Sequence, residues 1–150
     1  MNCFPDTSFL CSVYRRQAQS PRAIAFMEKL TGPLAVSTFL LLEFRQSVRL
    51  QSRLYVLDRT KGFPKEEAAL MLRDLQIDLT GGVLEIVPAD WADVHQIAER
   101  LSVMHTEKSG HRLADILQVA TALHLGSAEF LTFDANQKRL AEAEGMRVKV

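Results

Sequence analysis

Apolar residues follow two patterns along this chain. Short apolar runs alternate with longer stretches whose apolar positions recur at helical spacing. The runs are Cys3–Pro5, Leu34–Val36, Val83–Val87 and Glu129–Phe133, and each reads as a strand. Pro5 lacks a backbone donor, so it fits the end of its strand. Helical spacing covers Phe9 to about Gln19, then a segment opened by Ser20-Pro21 with Ile24, Met27 and Leu30 on one face. Ser20 is the expected N-cap there, and Pro21 the first helical residue. Gly32-Pro33 breaks that segment. Ser37 or Thr38 caps a long helix to about Leu57, and Phe63-Pro64 opens another that ends at Gly81-Gly82. Pro88-Ala89-Asp90 starts a helix to about His105, and His111–Leu125 forms the next, closed by Gly126. A last helix starts at Asp134 or Ala135 and ends at Gly145, with Arg147–Val150 as a candidate fifth strand. Short apolar strands alternating with helices predict a parallel sheet covered on both faces. Ligands of such sheets bind beyond the carboxyl ends of the strands.

The 150 residues suit a single domain, 1–150, with its own core. Eighteen basic and eighteen acidic residues balance, so any nucleic-acid surface must be local. Cys3 and Cys11 have no metal spacing and read as reduced thiols, and the chain is expected to be cytoplasmic. No apolar run approaches a membrane span, and no signal peptide precedes the first strand. Asp58–Phe63, with Thr60, Lys61 and Gly62, is the segment expected to be most mobile.

Four carboxylates interrupt apolar surroundings. Asp6 follows the first strand, Glu43 lies in Phe39-Leu40-Leu41-Leu42-Glu43-Phe44, Asp115 in Leu113-Ala114-Asp115-Ile116-Leu117, and Asp134 ends Phe130-Leu131-Thr132-Phe133. Buried carboxylates are costly unless paired, hydrogen-bonded or bound to a cation. Four of them suggest one convergent pocket, and an all-oxygen pocket suits Mg²⁺ or Mn²⁺. Each acid also has a plainer reading. Asp6 and Asp134 can be helix N-caps, and a helix can turn Glu43 to solvent. Asp115 sits in a helix apolar over most of its circumference, which favours a functional carboxylate. Asn136 is a candidate to orient a water on a metal, or an exposed first-turn residue. Ser8 is a candidate to contact such a water or a phosphate, or a helix-start hydrogen bond.

Other chemistry is absent from the sequence. His95, His105, His111 and His124 have no HExxH spacing and no cysteine set. There is no phosphate loop, dinucleotide fingerprint or nucleophile elbow. Thr7 stands where a phosphoaspartate phosphatase would carry a second Asp. Arg45, Arg49 and Arg53 recur at i+4 on the long helix, and Arg15-Arg16 precede the second helix. These arginines are candidates for phosphate or partner contact, or else a solvated face.

Taken together, the segments Asp6-Thr7-Ser8-Phe9-Leu10, Leu42-Glu43-Phe44-Arg45, Leu113–Ala122 and Leu131-Thr132-Phe133-Asp134, with the ending Gly145-Met146-Arg147-Val148, resemble the PIN domain. The likeness is to the VapC-like toxins of type II toxin–antitoxin systems, and it spans nearly the whole chain. It implies a three-layer α/β/α sandwich around a central, mostly parallel sheet of about five strands. It also implies a Mg²⁺-dependent endoribonuclease, with Mn²⁺ as substitute and Asp6, Glu43, Asp115 and Asp134 as metal ligands and catalytic residues. RNA as substrate, a cognate antitoxin and a homodimer are the partners it implies. Asn136 departs from a second Asp often found there, which leaves one or two ions open. Two other readings stand beside the nuclease toxin: an RNA- or protein-binding module with little catalysis, and a housekeeping nuclease without an antitoxin.

Overall fold

The computed structural model describes residues 2–150. Four three-residue strands form among the described residues: β1 Cys3–Pro5, β2 Leu34–Val36, β3 Leu84–Ile86 and β4 Glu129–Leu131. β1 pairs with β4 and β2 with β3, both in parallel, with Phe4 opposite Phe130 and Ala35 opposite Glu85. The strands thus form two two-stranded sheets in place of the expected single sheet of about five, and β1 lies beside β2, so the order across the molecule is β3, β2, β1, β4. The candidate fifth strand reduces to a single parallel bridge between Arg147 and Glu129.

Helices join every pair of strands. They are α1 Thr7–Tyr14 and α2 Ser20–Lys29 after β1, then α3 Thr38–Leu57 and α4 Lys65–Thr80 after β2. After β3 come α5 Trp91–Leu101, a π-helical stretch Ser102–Thr106, α6 Glu107–Ser109 and α7 Leu113–His124. The chain closes with α8 Ala135–Ala143 after β4. Parallel strands require such crossovers, and the result is an α/β fold. The fully buried rings of Phe4, Phe9, Phe44 and Phe130 belong to a single core that also takes in Val36, Leu75, Leu101 and Val119. Among the described residues, no helix is long and apolar enough to cross a membrane.

The helix starts follow the sequence, and several ends do not. Ser37 and Asp90 cap α3 and α5 through their side chains, as Ser and Asp at N-caps should. α1 stops at Tyr14 rather than near Gln19, because the Ser20 hydroxyl donates to the Arg15 carbonyl and accepts from Gln17 N–H. That use of Ser20 makes Gln19 the N-cap of α2, without a side-chain cap. Ser20 and Ala23 are the buried residues of α2, while Ile24 is exposed. The helix from Asp90 changes to π geometry at Ser102, and Gly110, at φ 69°, separates it from α7. α7 therefore begins at Leu113, leaving His111 in the connection. In the segment expected to be mobile, Asp58 accepts from the backbone and hydroxyl of Thr60, and Gly62 packs on α3.

Candidate active site

The carboxyl edge of the parallel strands gathers the acidic residues. Asp6 directly follows β1 and caps α1, accepting from Phe9 N–H at 2.9 Å. Thr132 and Asp134 follow β4, and Asp134 caps α8 through Asn136 N–H and Gln137 N–H at 2.9 and 2.8 Å. Both capping readings are therefore correct as geometry. They do not exhaust either residue, because caps at this edge also face the space where a ligand of a parallel sheet binds. Glu43 projects from the second turn of α3 and Asp115 from the first turn of α7.

Glu43, Asp115 and Asp134 line one open cavity of about 430 Å³, together with Thr7, Ser8 and Arg112. Asp6 is fully buried beneath it. Asp115 is also buried, whereas Glu43 and Asp134 are half-exposed at the cavity wall.

Hydroxyls and amides hold these carboxylates in place. Ser8 donates to Asp6 Oδ1 at 2.7 Å and accepts from Phe133 N–H at 2.9 Å, tying β1 to the segment after β4. Thr132 donates to Asp6 Oδ2 and accepts from Asp134 N–H at 3.0 Å, so one hydroxyl joins two of the acids. Thr7 and Gln118 both donate to Glu43 Oε1, Gln118 at 2.9 Å. Gln118 lies one turn after Asp115 on the same face of α7, which brings α7 against α3 at the site. Arg112 Nε stands 3.6 Å from Asp115 Oδ2 at the exposed rim.

Burial raises the Asp6 pKa from 3.8 to about 6, against the lowering effect of Thr132, Ser8 and Phe9 N–H, and Asp134 adds repulsion. Burial also raises Asp115, with Arg112 opposing and Asp134 and Glu43 reinforcing. Both shifts arise first from burial, with repulsion between the carboxylates as a smaller addition.

The donor set fits a hard divalent cation. Carboxylate and hydroxyl oxygens line the cavity beside Cys11, Arg112 and the apolar Leu50 and Ala114, with no histidine ring among its lining residues. Glu43 directs only Oε1 to protein donors, and Asp134 only Oδ1, among the described residues. No three His, Cys, Asp or Glu side chains of the described residues already converge on one point. Mg²⁺ retains several waters and takes one or two carboxylates directly, so it does not require such a preformed cluster.

The other residues singled out in the sequence lie around this centre. Asn136 turns its side-chain oxygen to Arg139, from which it accepts at 2.9 Å. Arg15 pairs with Glu67 at 2.8 Å and lies over the Phe63 ring, while Arg16 is exposed. Arg45 is half-buried and Arg49 and Arg53 are exposed, and none of the three forms an ion pair among the described residues. His111 is buried, its pKa lowered first by burial and then by His105. His124 pairs instead with Asp93 at 2.6 Å, away from the acids.

Sequence reasoning missed Thr7, Thr132, Gln118, Gln137 and Arg112. Gln118 carried a usable signal, a long polar residue one turn from Asp115 in an apolar helix. Gln137 is buried against the cavity, and its Oε1 has no partner among the described residues. Thr7 and Thr132 carried none, since threonine is ordinary at a helix start or a strand end.

An acid-lined cavity thus lies at the carboxyl edge of the parallel strands of an α/β domain. The chain belongs to the PIN domain family, which it matches over residues 3–143. Solved structures with this fold include Mycobacterium tuberculosis VapC20, a toxin that cleaves the sarcin–ricin loop. It is 18% identical, with a TM-score of 0.68 over 97% of each chain. FitAcB from Neisseria gonorrhoeae is 20% identical, with a TM-score of 0.65 over 99% of this chain and 96% of its own. VapBC2 from Rickettsia felis, solved with a DNA fragment from its promoter, is 14% identical, with a TM-score of 0.61 over 99% of this chain and 98% of its own. At these identities the likeness establishes the fold. No curated protein matches the chain in sequence.

Proposed function

We propose that this protein is a Mg²⁺-dependent endoribonuclease, the toxin of a type II toxin–antitoxin pair. The observation that carries the proposal is the meeting of Glu43, Asp115 and Asp134 from separate elements on one cavity, with Asp6 buried behind them. In this reading Glu43, Asp115 and Asp134 hold the ion, with Asp6 as the inner ligand or its anchor. Bound there, Mg²⁺ supplies Lewis acidity, making water a competent nucleophile at neutral pH and offsetting the charge that builds on the phosphate.

The chain's own residues prepare for that chemistry. Thr7 and Gln118 fix the Glu43 carboxylate, and Ser8 and Thr132 fix Asp6, so the acids need little reordering during reaction. Arg112 at the rim is placed to meet a phosphate next to Asp115. The unpaired Arg45, Arg49 and Arg53 on α3 offer a basic surface for RNA backbone or for an antitoxin.

The toxin role and the antitoxin and homodimer partners rest on the family resemblance and on the fold shared with VapC20. A binding module with little catalysis is disfavoured, because all four acids are present and none is neutralised by a lysine. The test is purified protein against a panel of structured RNAs with Mg²⁺, Mn²⁺ or EDTA. Cleavage is expected only with metal, and is expected to be lost in Asp6→Asn, Glu43→Gln and Asp115→Asn. Full cleavage in EDTA, or wild-type rates from these variants, would remove the proposal.

A further inference from the structure

The acid cavity does not end at the carboxylates. Cys11 and Ser47 line both it and a second recess of about 270 Å³. Two lines of residues lead from one to the other: Thr7 and Cys11 on α1 with Arg15 just past its end, and Glu43, Ser47 and Gln51 at i+4 steps on α3. Eight residues along α3 place Gln51 about 12 Å from Glu43.

The chemistry changes along the way. The second recess has no carboxylate among its lining residues. Its one cation, Arg15, is held by Glu67 at 2.8 Å and lies 4.7 Å over the centre of the Phe63 ring. That pairing neutralises the guanidinium and fixes it as a flat plate, which suits a stacked base better than a phosphate. Gln17, Ser47 and Gln51 line the wall beside the apolar Val48 and Met71, and none of the three polar side chains makes a hydrogen bond among the described residues. Each therefore offers free donor and acceptor capacity, and the amides carry both on one group. The wall is rigid. Gly62, at φ +61°, lies so close to α3 that an added Cβ would stand 2.0 Å from the Gln51 carbonyl, and Phe63 N–H donates to that carbonyl at 3.4 Å. The volume of about 270 Å³ accommodates one base, which can enter such a recess only when it is out of its stack.

We infer that this recess binds one unpaired nucleobase flanking the scissile phosphate, stacked against the Arg15 plate and read by Gln51 and Gln17. The inference rests on the ribonuclease reading and names the substrate feature it adds: a single-stranded position beside the cut. A hydrogen-bonded base contact discriminates by about five- to hundredfold. Loss of the Gln51 amide should remove that discrimination without touching the acids.

The test pairs two readouts on the wild type, Gln51→Leu, Gln51→Glu and Gln17→Leu. Cleavage is measured on a Mg²⁺-supplied RNA library randomised around one cut site. Binding is measured by fluorescence anisotropy of short 2′-O-methyl oligonucleotides, which cannot be cut, differing at one base. The wild type is expected to prefer one base at a fixed position in both readouts. Gln51→Leu should flatten the preference while cleavage of disfavoured contexts persists. Gln51→Glu, which keeps an acceptor and loses the donor, should change which base is preferred. A preference unchanged in all three variants, an equal loss across every context, or no base-dependent binding would overturn the inference. Cleavage with an unaltered preference sinks the subsite alone. Base-selective, Gln51-dependent binding without any cleavage sinks the ribonuclease reading and leaves the subsite standing.

Discussion

Replacing Asp6 by Asn should stabilise the protein at neutral pH when metal is chelated. Asp6 is fully buried, and its pKa rises from 3.8 to about 6, chiefly through burial. Its folded-state pKa thus lies above the unfolded one, so the native state holds the extra proton between these values. The stability linked to that proton is complete below about pH 4, falls as pH rises through the window, and is gone above about pH 6. Ionised Asp6 therefore costs about 3 kcal/mol at pH 7. Asn keeps the acceptor used by Ser8 and Phe9 N–H but turns its amide toward the Thr132 hydroxyl, which must swing away. Losing that one donor costs about 1 kcal/mol, leaving a net gain of about 2 kcal/mol. For a chain of this length that is about 4–8 °C in Tm. Thermal unfolding of wild type and Asp6→Asn in EDTA, from pH 4 to 8, isolates the effect as the difference between the two curves. The difference should be smallest near pH 4 and level off above pH 6. A variant less stable than wild type at pH 7, with the same pH slope, would refute the picture of a charge-strained buried acid. Mg²⁺ at a hundredfold excess over its Kd should add about 2.7 kcal/mol to wild type, and less to the variant.

Three further outcomes follow from the shell around the acids. Thr132→Val removes the donor to Asp6 and the acceptor of Asp134 N–H, and should lower stability by about 2 kcal/mol in urea unfolding. Gln118→Leu removes one of two donors to Glu43, and should weaken Mg²⁺ binding about tenfold in a calorimetric titration. Gly62→Ala should destabilise by roughly 1 kcal/mol or more, because its φ is positive and the new Cβ meets the Gln51 carbonyl.

Strand and helix order was legible because short apolar runs and capping residues report locally on the backbone. Cys3–Pro5 and Leu34–Val36 needed nothing beyond that pattern. The ends of helices were less legible wherever a distant or competing hydrogen bond decided them. Ser20 caps the chain behind it, so α1 ended early and α2 began a residue sooner. The separate helix beyond Gly110 was legible to within two residues of its start at Leu113, whereas the π-helical turn at Ser102 carried no local signal. At the site, apolar flanks marked Glu43 and Asp115, and strand ends marked Asp6 and Asp134. The hydroxyls of Thr7 and Thr132 were hidden, because their role exists only once residues far apart in sequence are brought together.

The claim that these four carboxylates form one metal centre is tested most directly by an anomalous difference map from crystals grown with Mn²⁺. A peak is expected in the acid cavity, within coordination distance of at least two of Glu43, Asp115 and Asp134, and absent from crystals of Asp115→Asn grown alike. Well-ordered Mn²⁺ elsewhere on the protein with no peak in the cavity, or a cavity peak untouched by Asp115→Asn, would contradict it.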